Sequence, residues 1–467
     1  MDNNGINFDR YLSPFSWRYA SDEMRSIWSE TTKRRLWRKL WAALAQAQYE
    51  LGLVSKEQVE DLRAHVDDID ISRSLQIEAE IHHDLMAEVK AFAEQCSTGG
   101  GIIHLGATSM DIEDNADALR MRDSLDLILD KLGQLLRLLA EKMAAYADLP
   151  VIGFTHLQPA EPTTLGYRLA FYAQDLLEDW NQLRRLRADL KGKGFKGAVG
   201  TGASYAELVG TEQVEMFEAR LSQLIDLPFF PISNQTYPRK QDYFVLCALA
   251  GLGASIYKFA FDLRLLQSPT VGEWSEPFAA KQVGSSAMPF KRNPINAEKI
   301  NSLARSLAQM PAVAWNNAAH TLLERTLDDS ANRRSLLPEA FLISDELLRT
   351  AIRIVKGMQI NEAGIAQNLA DYAPFASTER VLMASVKAGA DRQEMHERLR
   401  SHAMAAWQAV RQGQPNPLVE MVATDPILNQ YLTAEQLKML MQVDHYVGIA
   451  PQHTRDLSKM IMEHLET

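Results

Sequence analysis

The sequence predicts an all-α protein of three helical domains built around a central bundle of long helices. Three observations predict it. Apolar residues recur at three- and four-residue steps over segments of about 25 to 30 residues, the spacing of one helical face. The stretches between these segments are short, and no internal repeat, low-complexity tract or strand-rich region interrupts them. One long segment, 241–266, is apolar almost all round, so it needs partners on every side. At 467 residues the chain can bury a large core and form two or three domains.

Taken in order, residues 1–20 read as an irregular arm with the polar tip Arg18-Tyr19. Helical spacing then runs through 21–51, 57–65 and 77–95, and Gly99-Gly100-Gly101 breaks it. Residues 1–110 are expected to form a first helical domain. The second, 111–358, carries long amphipathic segments at 115–146, 165–190, 241–266, 294–323 and 336–358. Helices of that size are roughly 40 Å long and need neighbours along their length. A bundle shared between subunits is the expected answer. Pro311 predicts a kink in the fourth. The Gly-rich stretch 195–204 suggests a small hairpin, and 229–236 a loop. From 359 to 467 the helices shorten, to 362–371, 377–388, 392–413 and 434–441, as in a third, smaller domain.

Composition excludes some functions. A hydrophobic fraction of 46% and a charged fraction of 23% are those of an ordinary globular chain, and a net charge of -11 disfavours general binding to nucleic acid or an anionic membrane. The charge-free apolar run 243–257 is too short for a bilayer. The polar start Met1-Asp2-Asn3-Asn4-Gly5 lacks signal-peptide character, and Cys96 and Cys247 form no metal spacing. A cytoplasmic protein with two reduced thiols is expected. Dinucleotide, phosphate-loop and nucleophile-elbow motifs are missing, which counts against dehydrogenases, kinases and hydrolases.

Five stretches place reactive or polar groups at the ends of long helices. Gly284-Ser285-Ser286-Ala287-Met288-Pro289-Phe290-Lys291-Arg292-Asn293-Pro294 combines two hydroxyls, two cations and an amide just before a helix. Asn293 is expected to cap that helix, with Pro294 in its first turn. The run 104–115 offers Thr108 and Ser109, which either cap the next helix or hold a carboxylate at its N-terminus; the residues themselves favour capping. Thr155 and His156 lie in a loop before the second bundle helix. His82-His83-Asp84 supplies an acid/base pair, a phosphate contact or a plain helix surface. Adjacent histidines do not share a helix face, so no metal site is expected there. The run 324–334 carries Arg325, Ser330 and Arg334, which suit a phosphate, beside Asp328 and Asp329, which suit internal ion pairs.

Residues 284–294 closely resemble the Gly-Ser-Ser-x-Met-Pro-x-Lys-x-Asn-Pro signature of the fumarase/aspartase superfamily. The blocks around Thr108-Ser109 and Thr155-His156 match its two other signature regions in order and spacing. Within it the chain is similar to the adenylosuccinate lyase family on Arg18-Tyr19-Ala20-Ser21, His83-Asp84, Gln235-Thr236-Tyr237 and the run 324–334. The similarity covers about residues 13 to 400. Other members, such as argininosuccinate lyase, aspartase and a cycloisomerase, share the core blocks without a phosphate site, and related lyases serve as lens crystallins.

The resemblance implies the long-helix fold of that superfamily and a cofactor-free carbon–nitrogen lyase of purine biosynthesis. It would release fumarate from adenylosuccinate, giving AMP, and from the succinyl-carboxamide ribotide. The implied partners are a small purine nucleotide and further copies of the chain, in a homotetramer whose active sites each draw on three subunits. By the same resemblance Ser285 is the base and His156 the general acid. Thr108, Ser109, Thr155, Lys291 and Asn293 would hold the succinyl carboxylates. Arg18, Tyr19, His83, Asp84, Gln235, Arg325, Ser330 and Arg334 would bind the nucleotide. From the residues alone a histidine is the better base. Ser285 can serve only if amide donors and a cation such as Lys291 hold it ionised. Lys299 stands where relatives often have a ligand arginine, and keeps the charge without the fork. His82 replaces an arginine and Phe290 a tyrosine.

Overall fold

The computed structural model describes residues 8–443 and 446–466. The polar stretch Met1-Asp2-Asn3-Asn4-Gly5 and the first part of the arm lie outside the described residues. The fold is all-α apart from four short strands.

The N-terminal segment folds as α1 (Asp22–Ile27), α2 (Glu30–Glu50), α3 (Lys56–Ala64), α4 (Ile71–Ile81) and α5 (Asp84–Gln95). Two helices expected to be continuous are broken. Ser29 interrupts 21–51 because its hydroxyl accepts from Thr32 N at 3.1 Å and starts α2. His82 interrupts 77–95 by taking a left-handed conformation, φ 55°, and His83 caps α5 with Nδ1 accepting from Met86 N at 3.4 Å. The histidine pair is therefore a helix junction.

The long helices follow as α6 (Ser109–Ala145), α7 (Leu165–Asp189), α8 (Ala203–Val209), α9 (Val214–Ile225), α10 (Lys240–Leu266), α11 (Ile295–Leu307), α12 (Met310–Ala319) and α13 (Ser330–Gly357). With 37 residues, α6 is about 55 Å long at the usual rise. Pro311 does not kink a long helix. The chain breaks at Ala308-Gln309, and Pro311 lies in the first turn of α12, where its missing N–H costs nothing. No hairpin forms at 195–204. The hairpin lies instead at β1 (Pro150–Thr155) and β2 (Gln158–Thr164), which pair antiparallel. A second two-stranded pair joins β3 (Trp274–Ser275) and β4 (Gln359–Ile360). The C-terminal helices are α14 (Glu362–Lys387), α15 (Arg392–Arg411), α16 (Leu418–Ala423), α17 (Ala434–Leu440) and α18 (Ala450–Glu466). α14 is one helix containing Pro374, where two were expected.

Two compact units divide the fold. The first takes the residues up to Lys131, Asp179–Ala254 and Leu303–Arg349; the second takes Leu132–Glu178, Ser255–Ser302 and the chain from Thr350 onward. In the first, Trp41 of α2 stacks on Phe92 of α5, and the buried Glu88 joins Arg38 at 2.7 Å and Arg34 at 3.0 Å. In the second, β1 and β2 pack on α14, and Gly166 lets α7 start against the end of α6. A Cβ on Gly166 would lie 2.4 Å from Met143 O. Val381, Met395, Leu399, Val422 and Leu437 form a core among α14 to α17. Among the described residues α10 is long and apolar enough to cross a membrane, longer than the run seen in sequence; half of its most apolar window is buried in the protein.

Candidate active site

In the first unit a cavity forms where α2, the head of α5, α6 and the first turns of α13 meet. Asp84, Arg325, Ser330 and Arg334 all line it. Ser330 opens α13, so the free amides of a 28-residue helix favour an anion there. Arg334 Nη2 donates to Asp84 Oδ2 at 2.6 Å. Burial works to raise the Asp84 carboxyl, but Arg334 outweighs it and holds the group below the usual carboxylate range. Arg325 donates to Asp329 Oδ1 at 2.7 Å, while Asp329 Oδ2 accepts from the buried Arg239 at 2.5 Å. The ion-pair reading of 324–334 therefore holds, and the paired arginines also line a cavity.

A buried network fixes this floor. Arg239 also donates to Asp114 at 2.9 Å, and Asp114 accepts from Tyr237 N at 2.8 Å. Arg333 donates to Asp242 at 2.8 Å and to the Tyr237 hydroxyl at 2.7 Å. Gln235 comes near Arg325 through the backbone, because Gln235 N donates to Glu324 O at 3.3 Å. Arg18 and Tyr19 do not line the cavity. Their arm is pinned to the middle of α13, with Ala20 N on Glu346 at 3.0 Å and Ser21 N on Asp345 at 2.6 Å. Arg18 is exposed and lies over the Trp17 and Tyr19 rings, at 5.7 and 6.0 Å. His83 is exposed at its helix junction, 3.8 Å from Asp84.

The question left open for Thr108 and Ser109 is answered by Asp111. Its carboxylate accepts from Thr108 N at 3.0 Å and thereby caps the start of α6 from inside. Neither hydroxyl takes part in a hydrogen bond among the described residues, so both stay available to a ligand. Asp111 is fully buried and also binds Lys193 Nζ and Gly197 N.

In the second unit the β1–β2 hairpin carries Thr155 and His156 at its tip. His156 and Leu157 have φ of 52° and 58°, as a two-residue turn of the favoured hairpin hand requires. Such turns usually take Asn or Gly. Two residues with Cβ atoms there mark backbone strain held at an exposed point, which points to function.

The Ser285 loop is exposed and folded on itself. Ser285 Oγ accepts from Met288 N at 3.1 Å and Ala287 N at 3.3 Å. Ser286 is exposed and makes no such contact. Asn293 Nδ2 donates to Gly284 O at 3.0 Å, and Lys291 N to Met288 O at 3.0 Å. Gly284 is required here, since a Cβ would lie 2.1 Å from Lys291 O. Asn293 thus ties the loop and does not cap α11. Glu276 does, accepting from Asn296 N at 3.1 Å and Ala297 N at 3.0 Å. Burial raises the Glu276 carboxyl, against these amide donors. Gln267 closes the base of the loop, with Oε1 accepting from Glu276 N and Nε2 donating to Arg292 O, both at 3.0 Å. Lys299 follows on α11, half-buried. Within this unit no hydrogen bond joins the hairpin tip to the loop among the described residues.

The family model described as "Lyase" matches residues 16–308, and one described as "Adenylosuccinate lyase C-terminus" matches 374–457. The chain is 42% identical to the adenylosuccinate lyase of Saccharomyces cerevisiae, over 96% of this chain and 93% of the yeast protein. The chain belongs to the adenylosuccinate lyase family. It is 38% identical to the adenylosuccinate lyase of Schizosaccharomyces pombe, over 96% of this chain and 94% of that protein. Among solved structures it is similar to a 3-carboxy-cis,cis-muconate lactonizing enzyme from Pseudomonas putida, with a TM-score of 0.85 and 26% identity over 97% of this chain and 99% of that one. For a member of the adenylosuccinate lyase family, sequence reading named Asp329 as an ion-pair partner but missed three other residues that hold the site in place: Arg239, Glu276 and Gln267. Asp329 was legible because it stands four residues after Arg325, whereas the other three carry no local signal.

Proposed function

We propose that this chain is an adenylosuccinate lyase that splits adenylosuccinate into AMP and fumarate. The observation that carries the reading beyond family membership is Ser285 Oγ, held by two backbone amides in the signature loop. In the proposed reaction the Ser285 alkoxide removes a proton from the succinyl carbon beside a carboxylate. The electron pair left on carbon forms the fumarate double bond as the carbon–nitrogen bond breaks. His156 gives its proton to the departing purine nitrogen. Thr108, Ser109, Thr155, Lys291 and Asn293 hold the succinyl carboxylates. Lys299, on α11, adds a positive charge. Arg325, Ser330 and Arg334 take the phosphate at the head of α13, with His83, Asp84 and Gln235 around the nucleoside; Arg18 and Tyr19, which do not line this cavity in the same chain, would have to come from another copy. The succinyl-carboxamide ribotide of purine biosynthesis would react in the same way, since it presents the same succinyl-amine and phosphate.

A homotetramer with shared sites is part of this proposal. Exposed apolar side chains on the long helices support it: Tyr167 and Phe171 on α7, Phe244 and Phe261 on α10, and Val313 and Trp315 on α12. A reducing compartment, the cytoplasm, is supported by two free thiols, with burial pushing Cys96 up to about 12. An ultraviolet assay with adenylosuccinate, run beside argininosuccinate, tests the reading. Turnover of the first alone is expected; no turnover of adenylosuccinate would overturn it.

A further inference from the structure

Four carboxyl groups line the cavity at the head of α13: Glu30, Asp84, Glu113 and Asp117. Three of them are paired. Glu30 meets Lys33 at 2.8 Å, Asp84 meets Arg334 at 2.6 Å, and Asp117 lies between Arg120 at 3.3 Å and Arg333 at 3.4 Å. The remaining lining cation, Arg325, is held by Asp329. Glu113 alone of the four has no hydrogen bond or ion pair among the described residues. It lies on α6, one turn after Ser109.

An unpaired carboxyl in such a place is costly as an anion and cheap as an acid. Burial, and then the negative charges of Asp84, Asp117 and Asp114, push the Glu113 carboxyl up to about 8; Arg334 opposes them in part. The chemistry of the cavity makes the protonation state matter. A carboxylate facing the ligand of Arg325 and Arg334 repels a phosphate, whereas a carboxylic acid carries an O–H that donates to it.

We propose that Glu113 is a ligand-binding residue of this cavity, whose carboxyl O–H donates a hydrogen bond to a phosphate monoester held by Arg325, Ser330 and Arg334. This rests on the lyase reading and deepens it. The phosphate site then carries a built-in alkaline limit. A phosphate monoester is fully ionised above about pH 7, so it does not itself titrate there. As Glu113 loses its proton, a donor becomes a like charge and the nucleotide is released.

Binding of AMP by calorimetry, from pH 6.5 to 9.5, tests this on the wild type and on Glu113→Gln. The amide keeps a neutral donor of the same shape. The wild-type Kd is expected to stay level below about pH 7.5 and to rise above pH 8, by up to about tenfold per pH unit. The variant is expected to show no such rise. The KM for adenylosuccinate should follow the same two profiles. A wild-type Kd level through pH 9.5, or coincident profiles for the two proteins, would overturn the role of Glu113 and leave the lyase reading standing. Failure of the wild type to bind AMP at pH 7 and to turn over adenylosuccinate would overturn both.

Discussion

In the cavity at the head of α13 nearly every charged side chain is already held by another one. Arg239, Asp114, Asp329, Arg333 and Asp242 are buried and joined from helix to helix across the first unit. In the loop around Ser285 the contacts are made within the loop or at its two ends, and most side chains are exposed. In the proposed reaction the phosphate is the same before and after, so a rigid, pre-paired receptor would serve it. The proposed base would lose and regain contacts as charge moves, and its loop would admit and release a substrate. The comparison predicts that faults in the first region cost stability or binding, and faults in the second cost rate.

The largest expected effect is on rate. Ser285→Ala should lower kcat by about 10³-fold or more while the melting temperature and oligomer stay as in the wild type. A comparable loss of the oligomer would mean that the loop is structural. Next, Asp114→Ala strips Arg239 of a buried partner and leaves Tyr237 N without an acceptor. It should destabilise the fold by about 3–5 kcal/mol in urea unfolding; an unchanged midpoint would break the contrast. Gly284→Ala drives a Cβ into Lys291 O and should lower kcat by about 10²-fold with little change in stability, because the loop is displaced by about an ångström. The smallest effect belongs to Arg334→Ala. Its side chain is 60% exposed, so its pair with Asp84 adds at most about 1 kcal/mol to stability. The KM should rise about tenfold with kcat little changed, and an equal loss in kcat would move Arg334 into the chemistry.

The long helices were legible because periodicity is a local signal: α7 and α10 end within a residue or two of their expected limits. The breaks at Ser29 and His82 were not, because apolar spacing runs on across them and only the cap geometry stops the helix. The β1–β2 hairpin was hidden for a related reason. Its second strand, Gln158–Thr164, contains two prolines, and its turn is made by His156 and Leu157 without the usual Asn or Gly. The residues that bear the proposed chemistry were found through the resemblance of the signature blocks. Most of those that hold them were not, since Arg239 lies 90 positions from Asp329 and 125 from Asp114, and no local pattern joins them. Glu113 lay in plain view in the first signature region, yet its isolation shows only once the partners of its neighbours are known.

Gln267 has a consequence for timing. One amide side chain at the end of α10 grips the backbone on both sides of the excursion from Pro277 to Lys291. The ends of that tether are already brought together, so the entropy of joining them is settled when the protein folds and not at each turnover. If the loop moves in the proposed reaction, only a short ring closed at its base is left to swing.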